Sequence, residues 1–268
     1  VNSANLHRPA QQEAIPKTEK INPDRYPTPQ YWVNAKDVDT TWKGEWGIAY
    51  KSVTAPSNMR TMIAAMVPRC GVGNSMAMLL PESDTDTHYA DWASLLLANF
   101  NAIVFDFVLR QKVQGQNLNW FIVEQAPVIA PHRFDALLPS PFTAAMRKAK
   151  LLPAKSAAVT VADFVRFQVL ALTYTAHDMA AFACDMGYVD ESGLVLAPFT
   201  WNEDERHQRQ AALDAVFFWL YGMSRDDAAY ILDTFPIIRE QDVNTFGHFK
   251  TQEDILAMMQ NLVPILEN

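Results

Sequence analysis

Arg110, Gln111, Lys112, Gln114, Gln116, Asn117 and Asn119 place two cations and five primary amides in ten positions around Gly115, and no acidic residue stands between Asp106 and Glu124. These are the groups that read nucleic acid. Arginine and lysine suit phosphate oxygens or guanine, while the amides of asparagine and glutamine pair bidentately with an adenine edge. Gly and Asn also favour turns, so the same string with nothing bound is a polar solvated turn. Arg60, just after Asn58, and the loop from Arg69 to Asn74 add side chains of the same chemistry.

The flanking segments decide how such a loop is held. Tyr89, Trp92, Leu96, Ile103 and Phe107 recur at helical spacing between Thr87 and Arg110. They predict one long helix or two abutting ones, N-capped by Asp86 or Thr87, with the aromatics turned to a core. After the loop, the run from Asn119 reads as an aromatic strand. Thr61 to Val67 is a short apolar run ended by Pro68, which predicts a largely buried strand, and a Gly-containing loop leads from it into a second apolar strand before Pro81. Between Tyr31 and Tyr50, aromatic and β-branched residues recur as in a strand.

Downstream the periodicity becomes helical, over Ala162 to Met186 and Glu203 to Leu220, with Gly187 and Gly222 where helix C-caps belong. Ser224 to Asp227 and Thr251 to Asp254 have the form of capping boxes that start two more helices. At the other end, Pro9, Pro16, Pro23, Pro27 and Pro29 fall among polar residues without periodicity, as in an extended linker.

With 268 residues and 49% hydrophobic content, the chain can bury a sizeable core. A formal charge of −8 and a pI near 5.2 argue against a generally basic nucleic-acid binder. The acidity is uneven: residues 1–130 hold 11 basic against 12 acidic residues (−1), and the remainder 11 against 18 (−7). Cys70 and Cys184 form no Cys-x-x-Cys pair, so neither a disulfide framework nor a zinc site is expected, and reduced thiols fit a cytoplasmic setting. The longest apolar stretch, Trp92 to Leu109, is interrupted by Asn99, Asn101 and Asp106, which suits a core and not a membrane span. No membrane partner is expected.

Three blocks carry a family resemblance. NFNAIVFDFVLR (99–110), QKVQGQNLNWF (111–121) and the exit APVIAP (126–131) together resemble the end of the target recognition domain in large single-chain restriction-modification methyltransferases, the type IIG group, and their phage-defence relatives. Specificity subunits of type I systems share a looser version. RTMIAAMVPRCGVGNSMAMLLP (60–81) is similar to an upstream family segment, and WLYGMSRDDAAYILDTFPIIREQD (219–242) with FGHFKT (246–251) to the family's C-terminal tail.

The resemblance implies an α+β layout: residues 1–30 as a linker, 31–130 as a recognition domain with a mixed or antiparallel sheet, and 131–268 as a mainly helical region. It implies double-stranded DNA as partner, with the loops near Arg60, Arg69 to Asn74 and Arg110 to Asn119 in the major groove. An adenine would thereby be placed for a methyltransferase domain earlier in the same parent chain. S-adenosylmethionine would serve that parent, with Mg²⁺ if it also cleaves. Starting at Val1, the sequence is expected to be the C-terminal part of such an enzyme.

Catalytic signatures do not accompany these blocks. An adenine-N6 methyltransferase needs a Gly-rich cofactor loop and an Asn-Pro-Pro-aromatic motif or its like to hold the flipped base. Asn22-Pro23-Asp24-Arg25-Tyr26 lacks the second proline and the aromatic in their places. Gly73-Asn74-Ser75 approximates a nucleophile elbow, but the strand before it ends too early and the run after it is too short for the helix. Gly71 and Gly73 begin a dinucleotide fingerprint that Met76 breaks. The six histidines show no ligand spacing. The reading is therefore binding rather than chemistry, with a protein-docking module as the main alternative and a serine hydrolase a distant one.

Overall fold

The computed structural model describes residues 15–27, 32–38, 42, 44–81, 89–113, 115–153 and 158–262. One helical turn, α1 (Lys17–Lys20), precedes a three-stranded sheet built around β1 (Trp46–Lys51). Trp46, Ile48, Ala49 and Tyr50 are almost fully buried, as a central strand requires. β2 (Ala64–Pro68) and β3 (Met76–Leu79) flank it, both antiparallel to β1, with Ile48 opposite Met66 on one side and Leu79 on the other. A Cβ on Gly47 would come within 2.9 Å of the Leu80 side chain, so a bare backbone here lets the end of β3 close over β1.

α2 (Tyr89–Asn101) and α3 (Ile103–Arg110) meet at a 62° bend. Ala102 is extended there (φ −69°, ψ 137°), so the apolar run expected as one helix or two is two. The N-cap assigned to Asp86 or Thr87 lies outside the described residues. Among the described residues no single helix is long and apolar enough to cross a membrane.

The remaining elements are helical: α4 (Trp120–Val123), α5 (Ser140–Lys148), α6 (Val161–Thr173), α7 (Ala180–Asp185), α8 (Glu203–Leu220), α9 (Arg225–Asp233), α10 (Pro236–Phe246) and α11 (Lys250–Met259). The fold is thus α+β, a small antiparallel sheet followed by a helical C-terminal region. One apolar core runs through both, with α2 packed on α6 and α3 on α8 and α9. Buried Asn99 ties the parts together: its Oδ1 accepts from Ile129 N at 2.8 Å, and its Nδ2 donates at 2.8 Å to the Tyr221 hydroxyl.

Several local expectations change. The run after Asn119 forms the single turn α4 and not a strand, because Ile122 and Val123 reach the core only on a helical turn. Ala162 to Met186 is broken at Tyr174, whose non-helical backbone (φ −82°, ψ 74°) ends α6 before α7. The Ser224–Asp227 capping box is present, but Thr251 lies inside α11, where its N–H donates to Asp242 Oδ2 at 2.6 Å. Gly187 and Gly222 take positive φ (71° and 72°), as expected of residues just past a helix end.

Asp106 organises the junction between sheet and helices. Its carboxylate, fully buried on α3, accepts from Thr61 N at 3.0 Å and Met62 N at 2.8 Å just before β2. Arg110 Nη2 reaches Asp106 Oδ2 at 3.1 Å from one turn along, and Arg60 Nε lies 3.3 Å from the same oxygen. Arg60 also donates to Asn101 O, and Arg110 stacks 3.9 Å above the Phe235 ring. Asn101 meanwhile pairs both backbone groups of Ala64, donating to its carbonyl at 3.0 Å and accepting from its N–H at 3.2 Å, which closes part of the outer edge of β2. Replacing Asp106 by Ala strips a buried charge from two guanidinium groups and two N–H donors. We expect a loss of about 3–5 kcal/mol in urea denaturation; a loss below about 1 kcal/mol would show that the clamp contributes little.

Candidate nucleic-acid interface

Three loops converge where β1 ends. Ser52 N donates to Ser75 O at 2.9 Å, joining the strand end to the turn before β3. Leu118 N donates to Ser52 O at 2.7 Å and Thr54 N to Gln116 O at 2.9 Å, and Val53 and Asn117 form an isolated antiparallel bridge. The loop after α3 is thereby stitched to the sheet through backbone groups, with Val113 and Leu118 buried beneath it. Its side chains at Lys112, Gln116, Asn117 and Asn119 are exposed, as is Asn74 on the neighbouring turn. Asn119 stands at the N-cap of α4 yet makes no capping bond, so its amide is not engaged there.

The composition of this end is distinctive. No acidic residue occurs from Trp46 to Pro81 or from Phe107 to Val123, in a chain of net charge −8. Exposed Lys51, at the tip of β1, joins Lys112 as a second cation; it went unremarked in the sequence, although the acid-free run around it was visible there.

Three of the sequence-predicted residues fall elsewhere. Arg60 and Arg110 are turned inward onto Asp106, with side chains only 17% and 9% exposed, and so leave the surface that the sequence reading gave them. Burial pulls the Arg110 pKa down, while the adjacent Asp106 charge opposes that shift. Arg69 is exposed, but its N–H donates to Glu45 O just before the opposite end of β1, roughly 20 Å from Lys51 at about 3.4 Å per residue. The loop from Arg69 to Asn74 therefore crosses the sheet from end to end, and only its Asn74 end joins the cluster. Gln114 lies outside the described residues.

The same crossover bears on cofactors. Gly71 and Gly73 connect two strands and open no helix, so they lack the strand-to-helix geometry that cradles a nucleotide phosphate. Ser75, on the same crossover, has no helix behind it to make a nucleophile elbow. Among the described residues no group of three or more His, Cys, Asp or Glu is placed to hold a metal ion. Cys70 and Cys184 are both free and exposed.

A cavity of about 680 Å³ lies behind the clamp, between β2, the α2–α3 bend, α6, α8 and α10. Arg60 and Asp214 border it. Asp214 Oδ1 accepts from Ile103 N at 2.7 Å, capping α3 from α8, and burial pushes its carboxyl up to about 6 against the pull of Arg60.

No family model, curated protein or solved structure matches this chain.

The Asp214 shift has a definite sign. A carboxyl whose folded pKa exceeds its unfolded value near 3.8 favours folding fully below that value, and its contribution is lost as pH rises through about 6. Asp190 and Asp227, held low by bonds from the Ser192 and Ser224 hydroxyls, act in the opposite direction, so the informative quantity is a difference between variants. Asp214→Asn keeps the acceptor for Ile103 N and cannot ionise. Its stability relative to the parent should therefore rise between pH 4 and pH 7 by on the order of 3 kcal/mol, read by thermal or urea denaturation. A difference independent of pH would place the Asp214 titration elsewhere.

Proposed function

We propose that this chain is the DNA-reading part of an adenine-N6 DNA methyltransferase of the restriction-modification or phage-defence kind. The observation that carries this reading is the convergence, at one end of the sheet, of amide-bearing and cationic loops whose own segments hold no acidic residue. Lys51 and Lys112 meet phosphates, while Asn74, Gln116, Asn117 and Asn119 face base edges in the major groove, where their amides suit adenine. Arg60 and Arg110, assigned to DNA from sequence, serve instead as internal struts that fix the loops. The three sequence blocks that resemble target recognition domains support the same class.

In this reading the chain performs no bond chemistry. It places the target adenine for a methyltransferase domain of the same parent chain, which uses S-adenosylmethionine, and Mg²⁺ as well if it cleaves. Anchored loops suit the task, because a specific contact is worth on the order of 1–3 kcal/mol only when donor and acceptor are held in register.

Fluorescence anisotropy of a labelled duplex across a salt series tests the proposal. Two phosphate contacts predict a slope of log affinity on log salt of roughly −2, at about −0.9 per phosphate. Lys51→Ala and Lys112→Ala should each flatten it by about one. Absence of binding, or binding without a salt slope, would overturn the proposal and favour a protein-docking surface.

A further inference from the structure

Immediately after the amide loop, Trp120 and Phe121 stand 51% and 58% exposed on α4. The turn beneath them is firmly seated. Ile122 N and Val123 N donate to Asn119 O, Glu124 N donates to Trp120 O at 2.9 Å, and Val123 is buried while Ile122 packs on the core. Two residues before Trp120, fully buried Leu118 is bonded to the end of β1. Neither ring shows a stacking or cation–π partner among the described residues.

A short turn thus spends its inward side chains on anchorage and holds two large rings in solvent. Their surroundings favour one occupant. Asn117 and Asn119 precede them, exposed Lys112 opens the same loop, exposed Lys51 ends the strand beside which that loop is bonded, and the nearest carboxylate in sequence is Glu124, one turn beyond Trp120. Rings beside amides and cations match nucleobases, which offer an apolar face for stacking and polar edges for hydrogen bonds, next to a phosphate chain that needs positive charge.

We propose that Trp120 and Phe121 form an apolar wedge that stacks on bases at an opened step of the duplex beside the recognition loop, stabilising the unstacked state from which a target base is extruded. This inference rests on the DNA-reading function proposed above. Rings pre-positioned on a seated turn lose little freedom on insertion, and unstacking is least costly where pairing is already broken.

The test compares two labelled duplexes of the same sequence, one intact and one carrying a single unpaired 2-aminopurine. The chain should bind the second more tightly and quench its fluorescence by stacking. Trp120→Ala with Phe121→Ala should lower that preference about tenfold, corresponding to roughly 1.4 kcal/mol, within the range for base–aromatic stacking. Trp120→Phe with Phe121→Tyr, which keeps two rings, should restore preference and quenching. Lys112→Ala should weaken both duplexes alike and leave their ratio unchanged. If the parent chain binds DNA but shows no preference, or if the double alanine variant keeps it, the wedge is overturned and the DNA-reading function stands. If neither duplex is bound, both fall together. Since both rings are more than half exposed, unchanged thermal melting of the variants confirms that a lost preference is not lost folding.

Discussion

The buried carboxylate of Asp106 is the constraint around which the N-terminal half is arranged. An ion in the interior is tolerable only when its lone pairs and charge are matched. Asp106 is matched by Arg60 and Arg110 and by the N–H groups of Thr61 and Met62. These four partners come from the approach to β2 and from α3 itself, so satisfying one carboxylate fixes where the sheet meets the helices. The direction of α3 follows, and with it the point at which the amide loop leaves. Asp214, on α8, holds the first free N–H of α3 and couples the same helix to the C-terminal region.

Charge is unevenly distributed along the chain. The region after residue 130 holds 18 of the 30 acidic residues, while the segments from Trp46 to Pro81 and from Phe107 to Val123 hold none. A protein of net charge −8 can therefore present one end that is neutral to basic. Such a local field steers an anionic ligand toward that end and repels it elsewhere, which narrows the orientations of encounter.

How much of this was legible depended on whether the signal was local. Periodicity placed α8 at Glu203 to Leu220, and Pro68 marked the end of β2. Ser224 with Asp227 marked a real cap, whereas Thr251 with Asp254, at the same spacing, did not, because α11 already begins at Lys250. By contrast, the orientation of Arg60 and Arg110 could not be read from residue type, since a guanidinium serves equally on a phosphate or a buried carboxylate. The four-residue spacing of Asp106 and Arg110 was the available clue, and the apolar run around Asp106 hid its importance. Arg69 and Asn74 are neighbours in sequence but sit at opposite ends of β1, because the connection between two strands parallel to one another must traverse the strand between them. The α4 turn was misread for a related reason: aromatic and β-branched residues favour strands on average, and here the contacts of Ile122 and Val123 with the core outweigh that preference.

The loop after α3 is fastened to the sheet by main-chain bonds, from Thr54 N to Gln116 O and from Leu118 N to Ser52 O. Such fastenings are indifferent to the side chains projecting from the same residues. Gln116, Asn117 and Asn119 can accordingly drift in identity while the frame beneath them is inherited unchanged, so a lineage carrying this scaffold can diversify what it contacts by point substitution, with no need to evolve a new fold.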